Sequence, residues 1–425
     1  MKVVLLIIST AYIASVLNMQ GIKTLMPFIQ DEFVLTRADA GLYSTFFFAS
    51  ATAIALFSGR IVDRIGSKKG LMLGAFTMGG LMLLHTLMPG YIFILGLAFF
   101  AGIGFSLVTP SANKGVMDIV PPDKRAVSMG VVHSGGSVGG FFAAIVLPYI
   151  GAIYGWRVAL SISGGIALLI GLLIYKFYQD KFTGEDGRDS KSEDGKTSSE
   201  AQGQGQEVSF KESVISLVKN RYLMAFGAMG LIFGSGISSV GTHFTIFAGR
   251  DIGIDPAFVG VPLALFQIAG LLGQPGWGYI NDRYFGGDRR RGLFVQGLLV
   301  SGVMLVTGIL VYNYSLGIIG VSMLAFIMGF LVLGIPGVYF TAIGELVLPD
   351  QRGIATSLAL IFSRTGVIVV PPIFGYIADI FDSYQYSWLA LGGLIFIFSM
   401  LFFFASSGAM ERINLIEQGK QGVET

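Results

Sequence analysis

Twelve long apolar stretches constrain this chain more than any other feature of its sequence. In order they cover residues 3–30, 40–62, 70–89, 91–116, 125–150 and 154–178, then 221–249, 257–281, 292–312, 316–345, 352–379 and 386–407. Each has about the 20 residues that a helix needs to cross the hydrocarbon of a bilayer. Lipid offers the backbone no hydrogen-bonding partner, so a spanning segment of this length closes its own bonds as a helix. The expectation is an all-α membrane protein with twelve transmembrane helices. Composition agrees, because 53% of residues are hydrophobic and only 13% are charged, against about 25% charged in soluble domains. The chain holds 60 glycines, read here as surfaces that let membrane helices approach closely. Cysteine is absent, which excludes a disulfide framework, a thiolate metal site and a cysteine nucleophile. The first apolar run passes signal length into Pro27 without a small-residue cleavage site, so it reads as the first span and not as a cleaved signal.

One stretch breaks the pattern. Residues 183–206 are Gly, Ser, Glu, Asp, Lys and Gln with almost nothing apolar, too polar to bury enough surface to fold. After it, Val208, Phe210, Val214, Ile215, Leu217 and Val218 alternate with polar residues as in a short interfacial amphipathic helix. The chain therefore divides into a six-helix unit over 1–180, a linker with an amphipathic helix over 181–219, a second six-helix unit over 220–410, and a tail over 411–425. The units repeat each other. Asp63 and Asp282 are separated by the same length of chain as Gly41 and Gly260. Farther along, a second, slightly longer spacing separates both Asp118 from Glu345 and Arg125 from Arg352. Basic residues gather on one set of loops: Arg60, Arg64, Lys68, Lys69, Lys124, Arg125, Arg283, Arg289, Arg290, Arg291 and Arg352. The other set holds Arg37, Arg157 and Arg250. The positive-inside rule places the basic loops, and with them both termini, in the cytoplasm.

The loop Gly59-Arg60-Ile61-Val62-Asp63-Arg64-Ile65-Gly66-Ser67-Lys68-Lys69 sits between two apolar runs. It recurs as Gly278-Tyr279-Ile280-Asn281-Asp282-Arg283 followed by Gly286-Gly287-Asp288-Arg289-Arg290-Arg291. This doubled pattern resembles the loop motif of the major facilitator superfamily of secondary transporters, and the resemblance covers the whole chain. It implies two pseudo-symmetric six-helix bundles with a substrate site at their interface, in a bacterial cytoplasmic (inner) membrane. It also implies conformational roles for Gly59, Asp63, Arg64, Asp118, Arg125, Asp282, Arg283, Glu345 and Arg352. In that superfamily such groups latch the outward-facing state and part during alternating access. Two routes suit Asp63 and Asp282: pairing with arginines, or meeting a helix N-terminus of the neighbouring bundle. The run from His133 to Gly140 and Gly155-Trp156-Arg157 look like the organic-anion symporter branch. Gln274-Pro275-Gly276-Trp277-Gly278 looks like the monocarboxylate and oxalate–formate branches. An arginine commonly stands there in place of Gln274, and its absence favours a small monoanion over a dicarboxylate.

The charges inside the spans have one sign. No Asp or Glu falls in the interior of a span, whereas Lys23, His133, His243 and Arg364 do. Ionisable residues at membrane depth are costly and mark functional sites by default. Arg364 lies three helical turns beyond Arg352, about 18 Å along its helix, too deep to reach the interface. With no carboxylate to neutralise it, a substrate anion is the natural partner of its guanidinium fork. Lys23, His243 and His133 are candidate helpers, and either histidine could carry a proton near neutral pH. Asn18 and Gln20 on the first span and Gln267 and Gln274 on the eighth are polar candidates. The reading is a monomeric carrier of a small organic anion, a monocarboxylate, driven by proton symport or by exchange. It uses neither cofactor nor metal and binds no nucleic acid. Drug or metabolite efflux and a non-transporting membrane sensor on the same scaffold are the rivals. An enzyme is excluded by the lack of a phosphate loop, a metal-ligand cluster or a nucleophile constellation.

Overall fold

The computed structural model describes residues 2–178, 217, 219–313, 316–347 and 351–407. Most of the expected amphipathic helix and of the linker, and the 411–425 tail, lie outside the described residues. Fourteen helices make up the rest: α1 (Lys2–Thr24), α2 (Met26–Phe33), α3 (Arg37–Ile65), α4 (Ser67–His85), α5 (Tyr91–Ile119), α6 (Pro122–Tyr154), α7 (Trp156–Phe177), α8 (Arg221–Arg250), α9 (Val261–Tyr284), α10 (Arg289–Asn313), α11 (Ile318–Val332), α12 (Ile335–Glu345), α13 (Arg352–Ile380) and α14 (Gln385–Ala405). They form twelve rods because α1 with α2, and α11 with α12, each continue one apolar stretch across a short break. Both breaks carry a proline in the first turn of the second helix, Pro27 and Pro336. Proline has no N–H for the preceding turn, yet fits a helix start where that N–H has no partner. Large apolar side chains such as Ile92, Leu172, Ile319 and Leu401 stand exposed around the rods, the surface that hydrocarbon covers.

Six rods from the first half pack as one bundle and six from the second as another. Between the bundles, α3 lies along α13 and α6 along α9. These two contacts are repeats of each other. A Cβ on Gly41 of α3 would stand 2.5 Å from Pro372 N and 2.6 Å from the carbonyl carbon of Pro371. A Cβ on Gly260, at the start of α9, would stand 1.6 Å from Ala144 O. Gly260 is the counterpart of Gly41 at the first repeat spacing, and Pro371 is the counterpart of Ala144 at the second. The internal repeat thus corresponds to a pair of backbone-close contacts on opposite sides of a pseudo-dyad, and glycine is what permits the approach.

The two ends of the molecule differ. At the end opposite the basic loops, the far end, the halves are tied together. Asp379 accepts hydrogen bonds at 2.8 Å from the backbone N–H groups of both Arg37 and Ala38. Arg37 reaches back to Asp382 at 2.9 Å and to the carbonyl of Ala378 at 3.1 Å, and Arg250 pairs with Asp31 at 2.9 Å. Deeper, Ser44 and Thr242 share a 2.7 Å bond, Thr45 donates to Ile368 O at 2.6 Å, and Thr245 donates to Lys23 O at 3.2 Å. At the basic end, among the described residues, no ion pair or side-chain hydrogen bond crosses between the halves.

Candidate functional site

The basic loops show what holds each half at its parted end. Asp63 pairs with Lys114 at 3.6 Å, and Arg289 bridges Asp282 and Glu345, at 3.4 Å to the latter. Arg125 donates to Met117 O at 2.9 Å, and Arg352 donates to Gly344 O at 3.1 Å. Those two arginines are repeat counterparts, and so are their acceptors. Each closes a carbonyl at the C-terminal end of the preceding rod, where intrahelical donors run out. Arg64, Asp118 and Arg283 are exposed, and a Cβ on Gly59 would meet open space. All of these interactions stay within one half, and among the described residues none of them forms the expected latch across the bundles. The carboxylate that does meet a helix N-terminus across the bundles is Asp379, at the other end of the molecule.

Between the halves lies a cavity of about 400 Å³. Tyr12, Val16, Met19 and Gln20 of α1 form one wall, and His133, Gly136 and Ser137 of α6 a second. Ile237 and Gly241 of α8, Phe266, Gln267 and Gln274 of α9, and Leu333 complete it. Gln20 is 7% exposed and its Oε1 has no partner among the described residues. His133 turns Nε2 to Asn113 Oδ1 at 2.9 Å and sets its ring edge-on to Tyr12, with centroids 5.2 Å apart.

Lys23 and Arg364 stand on the mirrored side of the pseudo-dyad. Arg364 is the repeat counterpart of the cavity residue Ser137 at the second spacing, and Phe48 is the counterpart of the cavity residue Gln267 at the first. Lys23 Nζ lies 4.8 Å from the centroid of the Phe48 ring, and Arg364 Cζ lies 5.4 Å from it. The two charges therefore share one ring as their neighbour. Lys23 is 3% exposed. Among the described residues, neither cation has an ion pair or a hydrogen-bond acceptor. Arg364 is also an electrostatic neighbour of Tyr12, which lines the cavity. Phe48 follows Ser44, and Arg364 precedes Ile368, by about one helical turn, so both sit just inside the ties that Ser44 and Ile368 make across the halves.

Two candidates do not join this group. His243 is fully buried, and both ring nitrogens are taken up, by Tyr384 Oη at 2.9 Å and Pro371 O at 2.8 Å. It clamps α8 to α13 and to the start of α14. Asn18 donates to Ala14 O at 2.8 Å and to Ser163 O at 3.2 Å, and accepts from Ser163 Oγ, fastening α1 to α7. Conversely, Tyr12, Phe48, Asn113 and Ser137 belong to the site's surroundings although no charge in the sequence pointed to Tyr12, Phe48 or Ser137. The two repeat spacings do carry a signal, since they pair Phe48 with Gln267 and Ser137 with Arg364.

Comparison with known proteins adds the family. The model of the Major Facilitator Superfamily matches residues 8–249 and 226–425. The chain is 23% identical over 398 residues to the hexuronate transporter of Bacillus subtilis, covering 92% of this chain and 91% of that one. It is 22% identical over 346 residues to the membrane sensor protein UhpC of Salmonella typhimurium, covering 78% and 75%. Its fold matches a bacterial homologue of the human lysosomal transporter Spinster, solved inward-facing and occupied, with a TM-score of 0.78 at 15% identity over 97% of this chain and 98% of that one. The chain belongs to the Major Facilitator Superfamily: it is a multi-pass membrane protein and a secondary transporter, not an enzyme.

Proposed function

We propose that this protein carries a small organic anion, a monocarboxylate, through the cytoplasmic membrane. The observation that carries the reading is the pair of cations Lys23, which is buried, and Arg364, which is partly exposed, with no carboxylate beside either among the described residues. A buried charge without a partner is costly, and a carboxylate from outside supplies the missing one. Arg364 offers a planar fork that suits a carboxylate, and Lys23 adds a second positive group within reach. The polar body of the substrate extends past Tyr12 into the cavity, against Gln20, His133, Gln267 and Gln274. His243 and Asn18, whose polar atoms are already bonded, support the helices that carry these groups. The hexuronate transporter among the relatives moves a molecule of this kind.

The motion is a rocking of the two bundles about this site. The far-end ties around Asp379 and Arg37 open while the groups around Asp63, Asp118, Arg125, Asp282, Glu345 and Arg352 meet across the basic end. With the basic loops in the cytoplasm, both termini are cytoplasmic. Proton symport and anion exchange both fit, and the carrier acts as a monomer. A second reading, a sensor that binds the anion without moving it, has the similarity to UhpC in its favour.

A thermal-shift screen of purified protein against organic acids tests the assignment. A ligand that binds only the folded state raises the melting temperature with its concentration. One or more monocarboxylates raise it in the wild type, and the rise is lost in Arg364→Gln. The assignment fails if neutral or cationic compounds shift the protein and no organic acid does.

A further inference from the structure

Phe48 stands beside two cations, one buried and one partly exposed, that have no acid next to them among the described residues. Its ring, 8% exposed on α3, faces Lys23 Nζ from α1 at 4.8 Å and Arg364 Cζ from α13 at 5.4 Å. The face of an aromatic ring carries the negative part of its quadrupole and attracts cations. No carboxylate among the described residues competes for either group. We propose that Phe48 is a built-in placeholder for the anion. Its ring holds Lys23 and Arg364 while the carrier is empty, and the arriving anion takes the cations from it. The proposal rests on the anion-carrier reading.

Two considerations support it. The first is energetic. Lys23, at 3% exposure beside a second cation, would be costly to hold bare, and a carboxylate at position 48 would bind both cations in a pair that the substrate must break. A ring attracts a cation less than a charge-assisted hydrogen bond does. An anion can therefore displace the ring, and the ring can recover the cations when the anion leaves. The second is the pseudo-dyad. At the mirrored position, Gln267 stands in place of Phe48 and Ser137 in place of Arg364. The ring is present on the side that has the cations, and an amide on the side that lacks them.

The test begins without substrate. Melting temperatures of the purified, ligand-free protein are measured for Phe48→Leu, Phe48→Tyr, Lys23→Met and the Phe48→Leu/Lys23→Met pair. Phe48→Leu lowers the melting temperature, Phe48→Tyr keeps it near wild type, and the loss from Phe48→Leu falls by about half or more once Lys23 is Met, because contacting residues couple. Additive losses overturn the proposal. Titration calorimetry with D-glucuronate as probe supplies the sign. Phe48→Leu binds several-fold more tightly than wild type, and Phe48→Trp more weakly. A residue that merely packs would weaken binding when truncated, and that result overturns the proposal too. If neither wild type nor Phe48→Leu binds D-glucuronate, the ring holds no place for such an anion and the proposal is overturned, while the anion-carrier reading is judged separately by the organic-acid screen.

Discussion

At the scale of single residues, sequence reading finds charges and misses what surrounds them. Lys23 and Arg364 stood out because a cation inside an apolar run is expensive. Phe48 and Tyr12 did not, because an aromatic side chain in an apolar helix looks the same whether it faces lipid, core or cation. His133 and His243 were likewise equivalent as letters. Only packing separates a histidine beside a cavity from one whose nitrogens are both engaged by Tyr384 and Pro371 O. Glu32 shows a charge outside the spans with a measurable role. Arg157 and the indole N–H of Trp156, the latter at 2.7 Å, both donate to its carboxylate. Arg157 foremost holds that carboxyl below the usual Glu range. An acid held low contributes stability above its unfolded pKa of about 4.3 and loses it as pH falls through the folded value. Melting curves against pH should therefore show wild type above Glu32→Gln at neutral pH and the two converging at the acid end. Parallel curves would assign Glu32 no charge-dependent role.

At the scale of elements, twelve spans and two repeats were legible because apolar length and loop spacing are written directly in the chain. The breaks at Leu25 and at Leu333–Gly334 were not, although Pro27 and Pro336 mark them afterwards. A proline near a break and a proline inside a helix, such as Pro148 in α6, look alike until the preceding backbone is seen. The glycines divide in the same way. Gly41 and Gly260 are required by backbone approach between the halves, whereas a Cβ on Gly302 would meet open space. Gly260→Leu should therefore loosen the far-end seal and Gly302→Leu should not. The chain has no cysteine of its own, so a Thr242→Cys background gives a clean reporter beneath that seal. A membrane-impermeant maleimide applied from the far side should label it several-fold faster with Gly260→Leu than with Gly302→Leu. Equal rates would mean that the Gly260–Ala144 contact does not hold this end shut.

At the scale of the whole molecule, the ties are lopsided. Every side-chain hydrogen bond or ion pair that joins the halves, among the described residues, lies from the Lys23 level outward to the far end, while the basic-end groups bond within their own halves. A secondary transporter needs that lopsidedness to be reversible about a site between the bundles. The sequence predicted where the basic-end groups are, and the repeat predicted that they come in pairs. It could not say that they would be apart, since one sequence serves every state of the cycle. In the proposed function an anion from outside completes the pair of cations just inside the seal. Uptake into proteoliposomes is the decisive measurement, with radiolabelled organic acids offered beside a neutral sugar and an organic cation. The expected result is saturable uptake of at least one monocarboxylate, none of the neutral or cationic compounds, and loss of that uptake by tenfold or more, about 1.4 kcal/mol, in Arg364→Gln. Uptake of a neutral or cationic compound that survives Arg364→Gln, with no acid moved, would contradict it.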